Sequence, residues 1–409
     1  MSGFALAVWA WEETGQATTL TLWGFFDLLP RIIITPFAGV IVDRFHRKYL
    51  MMVGDTVAVL TTIALLWLFV TNNLQIWHLY LTAVIAGAFV QIQELAYSAS
   101  ISLMVQEQQY VRVSSMRALS GRIAQILAPP LAGFLYYIIG FAGLALIDII
   151  SFAVAIATLT LVFIPQPELD FPSSHLLRNF WQDLQFGWRY ILRDFQMLAL
   201  LIVTTLFWLS HDIGNYLYTP MILSRTNNDA QVLGTLAAAA GLGGTTGAII
   251  MSLWGGPKRR IDGVLRGMLG AGVSKVVFGL GRVPQVWIPA QFCSSLNFPF
   301  LGSCDTAIWM SQVEPSMQGR VFATQSLMFQ IVGAVATLIA GPLADRIFEP
   351  LMMSQSRIAN VLSHVVGSAP GAGIAILYII SSVGLIAIGL AGYVLPGLQA
   401  VLVRSNTKK

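Results

Sequence analysis

The sequence predicts an all-α integral membrane protein with about eleven full spans and a short, incomplete first helix. Three observations carry that expectation. Of 409 residues, 56% are hydrophobic and only 10% are Asp, Glu, Lys or Arg, too few charges to cover a soluble chain of this length. The mean hydropathy is +0.72. Apolar stretches long enough to cross a bilayer alternate with short polar breaks along almost the whole chain.

The first apolar run, Phe4–Trp11, is far too short to span. It lacks the basic lead and small-residue cleavage site of a signal peptide, so it reads as the end of a helix that begins upstream. Spans follow near 19–42, 49–71, 75–104, 113–138 and 141–163. Six more are expected near 196–223, 231–254, 263–281, 286–311, 321–344 and 371–401. The longest break, 164–195, opens with Pro165, Pro167 and Pro172. It then places Phe180, Leu184, Trp188 and Ile191 at helical spacing, with Asp183, Arg189 and Arg193 elsewhere. That pattern predicts an amphipathic helix at the membrane surface. The expected organisation is an N-terminal bundle over 1–163, a cytoplasmic linker over 164–195, a C-terminal six-helix bundle over 196–403 and a cytoplasmic tail over 404–409. Cys293 and Cys304 are separated by about 16 Å on a helix, too far for a disulfide.

Loop charge gives an orientation. One alternating set of loops holds Arg44, Arg47, Lys48, Arg112, Arg178, Arg189, Arg193, Lys258, Arg259, Arg260 and Arg320, and the C-terminus adds Arg404, Lys408 and Lys409. The opposite set holds only Arg225, Arg282, Arg346 and Arg357. The basic set is therefore expected on the cytoplasmic side, with the C-terminus. An internal repeat divides the chain at its middle: the run 100–133 resembles 306–345, and Gly143–Ser151 resembles Gly373–Ser381. Parallel halves of this kind recur in transporters that bind substrate between them.

The loop after the first full span reads Gly39-Val-Ile-Val-Asp43-Arg44-Phe-His46-Arg47-Lys48. It resembles the signature of the major facilitator superfamily, G-x-x-x-D-R-x-G-R-[RK]. Gly39, Asp43, Arg44, Arg47 and Lys48 match, and His46 replaces the second glycine. A histidine there is strained if the turn needs a positive φ. The resemblance runs over nearly the whole chain. LLPRIIITPFAGVIVDRF, IDIISF, FWQDLQFGWRYILRD and VEPSMQGRVF are most similar to the drug- and siderophore-exporter branch, the transmembrane secretion effectors. The second-half counterpart, Gly255–Arg260, keeps the basic residues but has no aspartate. The resemblance implies a fold of two six-helix bundles and a conformational-switch role for the Gly39–Lys48 loop. It also implies that Asp43 caps a helix of the opposite bundle and holds the cytoplasmic side shut.

Ionisable residues within spans mark pathways or buried pairs. Asp27 and Arg31, four apart, either pair locally or serve gating and substrate. Glu94 shares a stripe with Gln91, Ser98 and Ser102 on the fourth helix. Arg117, which shares a face with Gly121 and Gln125, and Arg122 are candidate partners for Glu94 or Asp43. Asp212, Asn215 and Thr219 form a stripe on the seventh helix beside His211, and Asp305 lies on the tenth. Lys275, Asp55 and Asp148 are expected to be packing pairs on peripheral helices. The Gly241–Gly247 run lies inside an apolar span with no preceding strand, so it is a close-packing stripe and not a nucleotide loop.

No P-loop, zinc or nucleophile motif is present in the sequence, which argues against an enzyme. The functional expectation is a proton-coupled exporter of a small amphipathic drug, siderophore or secondary metabolite, working by alternating access as a monomer in a bacterial-type inner membrane. Its partners are the small-molecule substrate, the proton and the lipid bilayer, with no nucleic acid and no cofactor or metal. The alternatives are an importer or a lipid-moving member of the same superfamily, and from other classes a membrane-embedded enzyme or a non-transporting scaffold.

Overall fold

The computed structural model describes residues 1–104, 110–164, 176–314, 317–354, 356–395 and 398. The expected tail, 404–409, and the proline-rich opening of the linker lie outside the described residues. The order is α1 (Ser2–Thr14), α2 (Ala17–Arg44), α3 (Arg47–Val70), α4 (Ile76–Met104), α5 (Tyr110–Leu161), α6 (Leu176–Arg193) and α7 (Phe195–Arg225). Then come α8 (Ala230–Trp254), α9 (Arg260–Leu280), α10 (Pro284–Gln312) and α11 (Gln318–Leu343). A π-turn (Ala344–Phe348), α12 (Glu349–Met353), α13 (Arg357–Val366) and α14 (Ala372–Val394) complete it. No strand occurs among the described residues.

Nine of these helices are long and apolar enough to cross a membrane. The expected count of about eleven spans reconciles with this in two steps. The apolar part of α5, Ile123–Leu161, is about 58 Å long, nearly twice a bilayer core. Gly140, at φ 63° and ψ −168°, breaks it into two crossings where the sequence changes span. The 29 residues of α10 supply the other crossing by length, although Pro289, Asn297 and Pro299 dilute its apolarity.

The helix boundaries have local causes. Asp194 accepts from the backbone of Gln196 and Met197 to start α7, and Asp229 does the same for Gln231 and Val232 at α8. Gly15 and Gly255 end α1 and α8 in the left-handed region. His46 precedes α3 at φ −60° and ψ 114°. The turn needs no positive φ there, so replacing the motif's second glycine costs no strain.

Glycines set how closely the helices meet. A Cβ on Gly243 or Gly247 would collide with the carbonyls of Phe292 and Leu296, which is why α8 lies directly against α10. The two halves meet along α2–α11 and α5–α8. At one end of the bundle these contacts become polar. The Asp345 carboxylate accepts from Ala17 N at 3.0 Å and Thr18 N at 2.7 Å, capping α2 from the far half. Nearby, the Trp11 indole donates to the Asn228 side chain at 3.0 Å. The amphipathic helix α6 also docks on α11, with the Arg320 guanidinium 5.2 Å over the Phe186 ring and Ile191 fully buried.

Candidate transport site

Three helices from both halves converge in two successive layers. In the first, Gly24 of α2 lets the Tyr216 ring of α7 approach to 3.0 Å of where a Cβ would stand, with the Thr337 methyl of α11 at 3.6 Å. One turn further, Gly333 of α11 leaves room for the Asp212 carboxylate, 3.5 Å from its missing Cβ, with Leu28 of α2 at 3.8 Å. Positions 24 and 28, 212 and 216, and 333 and 337 are each one helical turn apart, so the packing follows one face per helix. Asp212 thus stands where α2 from the first half closes on α7 and α11 from the second.

Asp27 and Arg31 lie beside this junction. Their expected local pairing is present: Arg31 Nη2 reaches both carboxylate oxygens of Asp27 at 3.0 Å. The Arg31 Nε is buried without a partner among the described residues. Tyr216, packed at Gly24, is within electrostatic reach of Asp27 and Arg31 on α2 and of Asp212 on its own helix.

Behind Asp212 the second half has a polar interior. Lys275 of α9 is 5% exposed, with Nζ 5.7 Å over the Tyr378 ring of α14. Lys275 is within electrostatic reach of both Asp212 and His211. His211 sits in an aromatic box, 4.7 Å from Phe298, with Trp208 and Phe207 beside it, and its Nδ1 is buried without a partner among the described residues. The Trp208 ring also meets Phe298 and Phe329, at 6.0 and 6.3 Å. A groove of about 750 Å³ runs from Phe298 between α8 and α10, lined by small and hydroxylic residues such as Gly244, Ser295, Ser303 and Thr306. Aromatic surface, small-residue relief and a few polar groups suit an amphipathic guest.

The other residues singled out by sequence fall at separate places. Glu94 lies on an exposed face of α4 with Tyr97 and Ser98, while Ile92 and Ala96 pack that helix on α2. Asn215 is exposed one turn from Asp212. Asp305 is 9% exposed, accepting from Trp309 Nε1 at 3.2 Å and Gln325 Nε2 at 3.4 Å, so it is an interior acid. In the switch loop, Arg47 donates to the Ala99 carbonyl of α4 at 2.5 Å. Lys48 donates to the Thr160 and Val162 carbonyls at the end of α5, both at 2.9 Å. The side chains of Asp43, Arg44, Arg117 and Arg122, and the surroundings of Gly39, lie outside the described residues.

Lys275 corrects one expectation. It was placed among packing pairs, but the ion pairs among the described residues are Arg31–Asp27 and the terminal ammonium with Asp148. Asp55 does pack, accepting from Gln93 at 2.7 Å. A signal for Lys275 was present in the sequence: Gly272 and Gly279 flank it at −3 and +4, so the face bearing the lysine is the face that closes on a neighbour. Asp345 and Tyr216 gave no such signal, because their partners lie far away in the chain.

The profile of the Major Facilitator Superfamily matches residues 1–337, and the chain belongs to that superfamily. It is similar to macrolide efflux protein A of Streptococcus pyogenes, at 24% identity over 84% of this chain and 85% of that one. Multidrug efflux pump Tap of Mycolicibacterium fortuitum is 20% identical over 84% and 86%. Among solved structures, a bacterial homologue of the human lysosomal transporter Spinster, inward-facing and unoccupied, superposes with a TM-score of 0.70 at 13% identity, covering 99% of this chain and 94% of that one. The nucleoside transporter NupG (D323A mutant) follows at 0.69, with 13% identity over 95% and 94%. These are transporter folds, and the protein is a multi-pass membrane transporter, not an enzyme.

Proposed function

We propose, with superfamily membership as the premise, that this protein is a proton-driven exporter of small amphipathic molecules working by alternating access. The observation that carries the reading is the position of Asp212. A proton carrier has to meet water in one state and a closed interface in the other. Asp212 sits where α2 of one half closes on α7 and α11 of the other, so rocking the halves apart would admit water to its carboxylate. The efflux names of the relatives favour export, and the aromatic box around His211 with the groove that opens from Phe298 favours an amphipathic guest.

Loop charge sets the basic loops in the cytoplasm, so the end latched by Asp345 and Trp11 faces outside. Asp43 then belongs to the opposite, cytoplasmic gate, and Asp43→Asn is expected to slow turnover and raise cytoplasmic accessibility without loss of expression. Glu94, on an exposed face of α4, is the second candidate carrier, with Asp305 behind it. The test is uptake into inside-out proteoliposomes under an imposed pH gradient, with a macrolide and a panel of amphipathic dyes. Wild-type protein should accumulate at least one compound only with the gradient, and Asp212→Asn should lose that accumulation while downhill exchange persists. If both Asp212→Asn and Glu94→Gln accumulate substrate as the wild type does, neither acid carries the proton.

A further inference from the structure

Between α11 and α14 the chain forms α13, whose 10 residues are too few to cross a bilayer. Its ends have local causes. The Ser356 hydroxyl accepts from Ala359 N at 3.1 Å, and Gly367 leaves the helix at φ 88°. The last three carbonyls are bound by arginines from the ends of other helices. Arg282 Nη2 donates to those of His364 and Val365, both at 3.1 Å, and Arg225 Nη2 to that of Val366 at 3.0 Å. The other arm of Arg225 donates to the Gly281 carbonyl at 2.7 Å, so one guanidinium closes the C-terminal ends of both α9 and α13. Arg225 is the last residue of α7, and the turn after it carries Asn228, the acceptor of Trp11. α13 therefore lies at the latched end of the bundle.

The helix has three faces. Ala359 and Val366 are buried against the protein, with Leu362 packed on the core beside them. Arg357, Asn360 and His364, at i, i+3 and i+7, are exposed and polar. Ile358, Val361 and Val365, each one residue further on, form a parallel row turned by about 100°. These three are 59%, 68% and 48% exposed. A helix with one face on protein, one polar and one apolar belongs where water meets hydrocarbon. The apolar row also continues a surface that the bilayer already covers. Val273, Val277 and Leu280 are exposed at i, i+4 and i+7 along the membrane-crossing stretch of α9. Two residues later comes Arg282, bonded to the end of α13. On the adjoining polar row, Arg357 suits the phosphates of a headgroup layer.

We propose that α13 is a membrane-docked helix: Ile358, Val361 and Val365 insert where headgroups meet acyl chains, and the partner of this face is lipid. With the basic loops in the cytoplasm, that leaflet is the outer one. α13 then lies parallel to the bilayer, its buried face on α9 and α14 and its polar row in water. Because Arg225 and Arg282 bracket its last turn, the docked helix fixes how deep the outer ends of α7 and α9 stand in the bilayer. The internal repeat shows where this device was added. The repeated segments are joined by 134–142 in the first half and by 346–372 in the second, and α13 lies within the longer join.

The test needs no known substrate. The full chain is reconstituted in phosphatidylethanolamine–phosphatidylglycerol vesicles, with the exposed Cys293 replaced by Ser and the buried Cys304 kept. Nitroxide labels are attached at Val361→Cys or Asn360→Cys, and the Cys293→Ser parent gives the background. Power saturation then compares collisions with oxygen, which dissolves in lipid, and with a neutral nickel chelate, which stays in water. The label at 361 is expected to meet oxygen several-fold more often than the label at 360, and nickel several-fold less. Its depth should be about 5–10 Å into the headgroup–acyl boundary. Nickel-dominated access at both positions overturns the proposal, because the apolar row then faces water. A label at 361 shielded from both reagents overturns it as well, because a second copy of the chain or another protein then covers the row. Should either labelled protein fail to reconstitute, Val365→Cys and His364→Cys repeat the comparison one turn along, with the same outcomes deciding.

Discussion

The two halves treat their intramembrane charges in opposite ways. On α2, Asp27 and Arg31 satisfy each other on one helix, at 3.0 Å and about a third exposed. In the second half, Asp212 and Lys275 are on different helices, buried more deeply, and not in direct contact. An i,i+4 pair moves with its helix, so no rigid-body motion of that helix changes it. An acid at a junction between halves feels each motion. The difference teaches that an intramembrane charge is best judged by whether its environment changes when the halves move, and by that measure Asp212 outranks Asp27.

The largest expected effect follows from this ranking. Asp212→Asn should abolish gradient-driven accumulation, whereas Asp27→Asn should lower it only partly, with both measured as uptake per reconstituted molecule. Equal loss in the two variants would erase the contrast. Next comes Gly333→Leu, which would drive a side chain between Asp212 and Leu28. Its expected outcome is a normally expressed protein with more than about ten-fold slower exchange, overpacking in a tight interface costing about 1–3 kcal/mol. The latch is tested by Asp345→Ala. Losing a charged cap costs about 1–2 kcal/mol, so the population closed at that end should fall by a factor of about 5–30. Labelling of a cysteine introduced at Thr18, which is half-buried under the cap, should rise accordingly. The smallest effect is on stability: breaking the part-exposed Asp27–Arg31 pair is worth about 0.2–1 kcal/mol, a melting shift of a few degrees at most.

Much of the architecture was legible in the sequence because a bilayer demands long apolar runs. Ten of the eleven expected spans coincide with a helix to within a few residues, the single break inside α5 is at the glycine that divides two of them, and the last, 371–401, is a helix only as far as Val394. The Asp27–Arg31 pair was legible for the same reason of locality. What the sequence leaves open is the partnership of residues far apart in the chain. Asp345 reads as an ordinary post-helix acid until α2 is seen to begin on it, 328 residues away. Lys275 reads as peripheral until Gly272 and Gly279 are seen to turn its face inward. His46 shows the converse: a mismatch to a family pattern looks costly until its backbone proves to be extended.

The most direct test of the account is proton movement driven by substrate. Proteoliposomes holding the full chain and a trapped pH indicator would be loaded with a compound identified in the uptake panel, diluted into substrate-free buffer, and followed without an imposed gradient. The account predicts a counter-directed lumenal pH change in wild-type vesicles that disappears in Asp212→Asn while labelled substrate still leaves. Substrate leaving wild-type vesicles with no pH change, or an Asp212→Asn trace equal to wild type, would contradict it.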